Sequence, residues 1–586
     1  MPNAKYRQEK SVFERVVCTF KRLRVLDMSS SGMHTVPSGI SELRHLRYLD
    51  LSFNYLSCLP NSITKLQNLQ TLKLTYSNFK ELPRDARNLV SLRHLDLDNC
   101  NDLTDMPRGF GQLTSLRTLT RFIVGTCSTL SELKDLNNLR GQLEIDFQLE
   151  IGLPEGQPRR TSKEAEEANL KGKEYLQSLI LGFGCYSDNK KGGLEELLLE
   201  GLRPHETLKK LFIKGYGGVR LPTWMSFLRN LVEMKLYYCN GCKHLPKIEQ
   251  LPFLRTLHLE SLDSIEYIDD NYSCSTSTGG GNEDEESLIS SSFPSSSLST
   301  TTFFPSLKYL QLEKMYNLKG WWRSKVAAEE DEQEQSTVNI NQEEQQLSLL
   351  PSFPCLVESQ MKRCPKLASM PLQPVVVKLQ FWQVNEKVVR QQFSLVTFSN
   401  LEDLKICDIE DLVNLPEEAF QHLTSLRKLK ICNCHSLTSL SRGMRHLTAL
   451  HSLEFYHFQE LDLSDGDDNG MHFQGLTNLT SLHIQGIPKL ESLPAGLQHI
   501  ATLQSLSISE CYNLKSLPEW IGNHTSLQHL SIYMSDKLTS LPEGMRRLTA
   551  LQQLKIEFCS TELYHRCQKE TGEDWPKIAH IPNVDI

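Results

Sequence analysis

The chain has 586 residues, and 71 acidic against 63 basic side chains leave a formal net charge of −8. So slight an excess over a large surface offers no footprint for nucleic acid or an anionic membrane face, and the apolar runs fall far short of the ~18 residues of a spanning helix. Sixteen cysteines in so long a chain make no disulfide framework, and the N-terminus lacks the apolar core of a secretory signal, which points to the cytoplasm or nucleus.

Residues 1–22 read as an N-terminal lead-in. From there one pattern dominates: "LRVLDM" at Leu23 returns as "LRYLDL" at Leu46, "LQTLKL" at Leu69 and "LRHLDL" at Leu92, a step of 23 residues each time. Weaker copies start at Leu116 and Leu139, clearer ones at Leu176, Leu208, Leu231, Leu254 and Leu307, and weak ones again at Leu356 and Val376. A second regular block runs through Leu401, Leu426, Leu450, Leu479, Leu503, Leu527 and Leu551. About twenty copies of L-x-x-L-x-L over residues 23–560 predict an α/β leucine-rich-repeat solenoid, a horseshoe. Positions four and six of each copy point inward from a short strand and the residues between them face out. One such strand cannot bury its apolar side alone, so neighbours stack into a parallel sheet on the concave face. Short helices or 3-10 turns cross over on the convex face, where the L-P-x-x-[IM] runs "CLPNSI" (Cys58–Ile63) and "SLPEWI" (Ser516–Ile521) place proline in a first helical turn.

Three insertions lengthen the step, near residues 152–173, 271–302 and 327–346. Their Ser/Gly-rich or acidic composition cannot bury enough apolar area to offset ordering entropy, so they are expected as mobile surface loops. The closing residues 561–586 are expected to cap the open end of the stack, with Leu563, Trp575, Ile578 and Ile581 covering it and Pro576 and Pro582 stopping further strand pairing.

Several clusters imitate metal sites. "CNGC" (Cys239, Cys242) and "CNCH" (Cys432, Cys434, His435) are two, with Cys407 nearby, and His565, Cys567 and His580 lie in the tail. Counting the first leucine as one, however, Cys100, Cys239, Cys364, Cys434, Cys511 and Cys559 all fall on position nine, as Asn54 does. That is the buried exit-turn position of the repeat, where a small side chain meets backbone groups. "DLSDGDDNG" (Asp462–Gly470) lacks the ligand order and terminal Glu of a calcium loop and reads as a solvated insertion. There is no G-x-x-x-x-G-K-[ST] and no G-x-S-x-G, and the strand histidines (His94, His258, His483, His529) have no nucleophile beside them. The expectation is a non-enzyme with no cofactor and no metal.

The outward residues of the concave sheet remain. Aromatics collect at positions seven and eight, as Phe53, Tyr76, Tyr237, Tyr238, Tyr456, Tyr533 and Phe558. Mixed charge runs along positions three and five, including Asp50, Lys73, Glu233, Lys235 and Lys430. Exposed tyrosine beside mixed charge is the make-up of a protein-binding face.

The wording goes beyond a generic repeat. "LRVLDMSSSGMHTVPSGISELRHLRYLDLSFNYLSCLPNSITKLQNLQTLKL" (Leu23–Leu74) resembles the repeat region of plant nucleotide-binding leucine-rich-repeat immune receptors of the coiled-coil class. So do "LVSLRHLDLDNCNDLTDMPRGFGQLTSLRTLTRFIVG" (Leu89–Gly125) and the closing "RCQKETGEDWPKIAHIP" (Arg566–Pro582). The resemblance implies disease resistance: sensing a pathogen effector or an effector-modified host protein, and holding a receptor off through a nucleotide-binding module in cis or in trans. In that family the coiled coil and nucleotide-binding module precede the repeats. This chain starts almost at its first repeat, so nucleotide exchange is not carried over. The alternative is a cytosolic scaffold for small-GTPase signalling, whose repeats are regular 23-residue copies; the variable steps here speak against it.

Overall fold

The computed structural model describes residues 13–147, 162–184, 192–269, 303–322, 351–415, 417–463 and 473–586. The repeats contribute strands to a parallel sheet and turn back through short convex segments, and the copies at Leu254 and Leu307 add a second strand each, Tyr267–Asp269 paired with Gly320–Trp322. The period-two rule holds residue by residue: Leu72 and Leu74 are buried while Lys73 between them reaches solvent. The stacked leucines form one continuous apolar core along the array.

The sheet comes in two stretches. Val25–Asp27, Tyr48–Asp50, Thr71–Lys73, His94–Asp96 and Thr118–Leu119 make the first. The second runs from Arg121–Val124 to Asn583–Asp585, each strand paired in parallel with the next. Among the described residues no register joins the last strand to the first, so this is a solenoid face and not a closed barrel.

The break between the stretches is one residue wide. In "LRTLTRFIVG" Leu116 and Leu119 hold positions one and four, but Arg121 stands where position six expects leucine, and Phe122 is buried instead. A slip of one residue flips every later side chain, so the extra residue, Thr120, is absorbed as a bulge. Its hydroxyl accepts the Leu97 N–H at 2.8 Å, replacing a ladder bond. Arg121, now outward, pairs with Asp146 at 2.5 Å and donates to the Cys100 carbonyl at 2.7 Å.

The convex turns are mostly 3-10 segments such as Asn61–Lys65, Glu519–Asn523 and Glu543–Arg547. Proline stands one place earlier than the sequence reading had it. Pro60, Pro518 and Pro542 are N-cap residues with ψ of 142°, 151° and 160°, so they steer the extended chain into the turn rather than sit inside it. The first insertion also differs from expectation. Its residues 162–173 are not a mobile loop: Ser162–Glu167 is helical, Leu170–Gly172 a 3-10 turn, and Ala165, Ala168, Leu170 and Lys173 are buried. Three apolar side chains in an otherwise polar stretch were enough to dock it. Lys173 donates from Nζ to the carbonyls of Leu133 (2.7 Å) and Leu136 (3.3 Å), and burial lowers its pKa to about 8. The insertions at 271–302 and 327–346, and Asp465, Asp467 and Asp468 of the acidic run, lie outside the described residues.

At the C-terminus Leu563 and Ile578 are fully buried and Ile581 nearly so. Ser560 accepts the Leu563 N–H at 3.1 Å and so caps the helix Thr561–Arg566. Asp574 has no solvent exposure; it accepts the Leu541 N–H (2.9 Å), Arg566 Nη2 (3.0 Å) and Lys577 Nζ (2.9 Å), tying the tail to the preceding repeat. The expected end of strand pairing at Pro582 does not hold. Asn583–Asp585 add a strand, in parallel register with Gln553–Lys555. Proline lacks only its own N–H, so pairing resumes one residue later, where the Asn583 N–H reaches the Gln552 carbonyl.

Candidate recognition surface

Most strands leave the sheet through one geometry. Position nine turns inward: Asn54 accepts the Met33 N–H at 2.9 Å and donates to the carbonyls of Met28 and Leu51, both at 2.9 Å. Cysteine fills the same place elsewhere. Cys100 donates its thiol to the Leu74 carbonyl at 3.1 Å, Cys434 to the Cys432 carbonyl at 3.5 Å and Cys511 to the Ser509 carbonyl at 3.4 Å. Burial pushes all three thiols up to about 11, so they stay protonated. These cysteines are structural, as their register implied. The tail trio is not gathered either: the His580 ring nitrogen Nε2 faces the Leu548 carbonyl at 3.2 Å, and Cys567 is buried with its thiol raised to about 12.

Turning position nine inward forces position eight into the left-handed region. Phe53, Tyr76, Tyr238 and Phe558 have φ of 56°, 55°, 55° and 51°. Bulky L-residues there cost about 1 kcal/mol each, and cross-repeat bonds hold them. The Phe53 N–H donates to the Thr75 carbonyl at 2.8 Å, that of Tyr76 to Asp98 at 3.0 Å and that of Tyr238 to Glu260 at 2.9 Å. The kink throws these side chains off the sheet edge into solvent, with relative exposures of 55%, 53%, 47% and 69%. Tyr237, Tyr456 and Tyr533, one position earlier, lie half-buried along their strands.

The seven aromatics do not form one patch. Phe53 stacks on Tyr76 with centroids 5.1 Å apart, and Tyr533 meets Phe558 edge-on at 5.3 Å. Tyr237 and Tyr238 are adjacent in the chain but six repeat steps beyond Tyr76, roughly 30 Å at ~4.8 Å per strand. Tyr456 stands apart again, with Lys430 Nζ 4.1 Å from its ring centre and its hydroxyl on Glu454 at 3.2 Å. Burial, then Glu454, raises its phenol to about 12.

The central group is the most polar. The Tyr237 hydroxyl meets His258 Nδ1 at 3.2 Å, and Lys314 Nζ lies 2.7 Å from Glu260 Oε1 and 5.9 Å from the Tyr238 ring centre. Burial, then Glu260, Glu233 and Glu313, pushes the Tyr237 phenol up to about 12. Further on, position seven reads Trp382, Cys407, Cys432 and Tyr456 across four neighbouring strands. Cys407 and Cys432 form a disulfide, Cα to Cα 4.5 Å. Trp382 and the pairing of Cys407 with Cys432 were not foreseen, although their register carried the signal: each is the seventh residue of its copy, and Trp382 belongs to the weak copy at Val376.

The leucine-rich repeat region family matches residues 7–326 and 375–535, and the chain belongs to it. Curated relatives that it is similar to are plant disease resistance proteins. The putative disease resistance protein RGA1 of Solanum bulbocastanum is 33% identical over 350 residues, 58% of this chain and 29% of that protein. The putative disease resistance protein RGA4 of the same plant is 34% identical over 338 residues, 57% of this chain and 28% of that one. The putative disease resistance RPP13-like protein 1 of Arabidopsis thaliana is 30% identical over 386 residues, 63% and 30% respectively. The chain therefore spans less than a third of the length of these relatives. The resemblance drawn from the repeat wording is borne out, and the small-GTPase scaffold finds no support in them. No helix among the described residues is long and apolar enough to cross a membrane.

Proposed function

We propose that the chain is the protein-recognition module of a plant immune receptor. It senses a pathogen effector or an effector-modified host protein at the exit edge of its concave sheet and works without catalysis in the cytoplasm or nucleus. The observation that carries this is the exposure of four large aromatics, Phe53, Tyr76, Tyr238 and Phe558, at the position-eight kink of the sheet edge. Position eight is left-handed in most repeats whatever residue stands there, so what marks these four is that large rings are left exposed at a kink that throws them off the sheet. Anchors spaced along the edge suit an elongated partner, and aromatic anchors in a polar rim are what hot spots are made of. The same edge serves the holding role toward a nucleotide-binding module in cis or in trans.

The test is co-expression in leaf cells with a panel of effectors from one pathogen and with a nucleotide-binding module in trans, reading co-precipitation and cell death. Tyr237→Ala with Tyr238→Ala is expected to lose capture of the partner that wild type binds. Phe227→Ala, an exposed change on the convex turn Thr223–Phe227, should keep it. Unchanged capture by the double variant, with an unchanged circular dichroism spectrum, would remove the exit edge as the binding face.

A further inference from the structure

We propose that His258, Glu260 and Glu313 form a binding site for a divalent transition-metal cation of the zinc type on the concave face. The nitrogen of His258 and one oxygen from each carboxylate lie within 4.8 Å of one another, the only such set of three metal-ligating groups among the described residues. The sheet puts them there. His258 and Glu260 are positions five and seven of one strand, so both face outward, and Glu313 is the register partner of Glu260 on the next strand. Rigid strands place ligands more closely than loops do.

A second observation points into the same space. His258 Nε2 is buried and has no hydrogen-bond partner, and the nearest carboxylate oxygen, on Glu260, is 3.9 Å away. Its other nitrogen is held by the Tyr237 hydroxyl at 3.2 Å. That is how a metal-binding imidazole is set up, with one nitrogen fixed by an outer partner and the other aimed at the ion. With Nδ1–H donating to the tyrosine oxygen, Nε2 presents a lone pair to the two carboxylates. Bonds of ~2.1 Å to one ion would bring the ligand atoms to roughly 3.4 Å apart, a closure that side-chain rotation supplies. Imidazole beside oxygen ligands favours zinc over calcium or magnesium. The concave side leaves a coordination position open for water or a partner's side chain.

Lys314 is the competitor. It pairs with Glu260 at 2.7 Å and sits 3.9 Å from Glu313, neutralising the carboxylates while no cation is present. The ion must displace it, and its long stem can swing away. The inference stands apart from the recognition reading, since it concerns the cation alone.

The experiment is titration of the full chain with zinc ions by calorimetry, with cobalt(II) absorption as a second readout. One equivalent is expected to bind to wild type. His258→Asn and Glu313→Gln, which keep size and burial, are expected to weaken it about tenfold or more, whereas Lys314→Met should tighten it. Circular dichroism confirms that each variant is folded. No zinc binding by folded wild type would overturn the site. So would undiminished binding in both weakening variants, which would move the zinc to the cysteines, or preference for calcium over zinc.

Discussion

The N-terminal repeats and the C-terminal block make the same turn with different side chains. Strands Tyr48–Asp50 and His94–Asp96 are three residues long, whereas Lys428–Cys432 and Ser505–Ser509 have five. The cause is at position five. Asp50 and Asp96 each accept the N–H two residues on, of Ser52 (3.0 Å) and Asp98 (3.2 Å), and so remove it from the ladder. Thr71–Lys73 has no such aspartate but is held to the same length, because Asn54 occupies the Leu51 carbonyl its extension would need. In the C-terminal block position five is Lys430, Glu454 or Ser507, and the backbone pairs through to position seven. A shared leucine frame therefore leaves strand length to the side chains at positions five and nine.

Because each repeat touches mainly its neighbours, damage to one block should stay in it. The largest effect is expected from Asp574→Ala, which leaves Arg566 and Lys577 without their shared carboxylate and should cost about 4 kcal/mol. Hydrogen exchange should rise over the last repeats and the closing strand while residues 25–119 stay protected; loss of protection throughout would show that the blocks are one cooperative unit. Burial by itself would raise the Asp574 pKa, but Arg566, the Leu541 N–H and Lys577 outweigh it and hold the carboxyl below its ordinary value. Its contribution is therefore complete above the ordinary aspartate value of ~3.9 and lost as pH falls through the lower folded value. Acid should release the tail in wild type, and Asp574→Asn should lose most of that dependence.

Asn54→Ala should come next, at about 3 kcal/mol, because it orphans the Met33 N–H and two carbonyls at once. Its loss of protection should be confined to the first stretch. Arg121→Met, at the joint between the stretches, should cost about 2 kcal/mol by stranding Asp146 and the Cys100 carbonyl. If the bulge is what separates the two, exchange should rise on both sides of Thr120. The smallest effect belongs to Cys511→Ala, about 1 kcal/mol, since a thiol donates weakly and little volume is lost. Were it to match Asn54→Ala in urea melts, the two exit turns would be energetically alike and the contrast would fail.

The seven edge aromatics were legible because positions seven and eight can be counted from the first leucine. What counting could not supply was their grouping, which follows from which repeats are neighbours. Nor did it supply the left-handed backbone at Phe53 and Tyr238, which follows from position nine turning inward. The docked helix Ser162–Glu167 was hidden because composition averages over a stretch in which a few residues decide burial. The resumed strand after Pro582 was hidden because a rule about one missing donor was applied to the residues beyond it.

By itself the sequence determined the solenoid, the inward leucines and the burial of position-nine cysteines, all but the half-buried Cys559 of the last copy, because a fixed period acts through local strand geometry and needs no knowledge of distant contacts. Only the tertiary structure decided that Cys407 meets Cys432 and that His258 and Glu260 face Glu313. Those meetings join separate repeats, and the step between repeats varies; from Glu260 to Glu313 it crosses an insertion of no readable period. Stacking alone turns such separations in sequence into neighbouring strands.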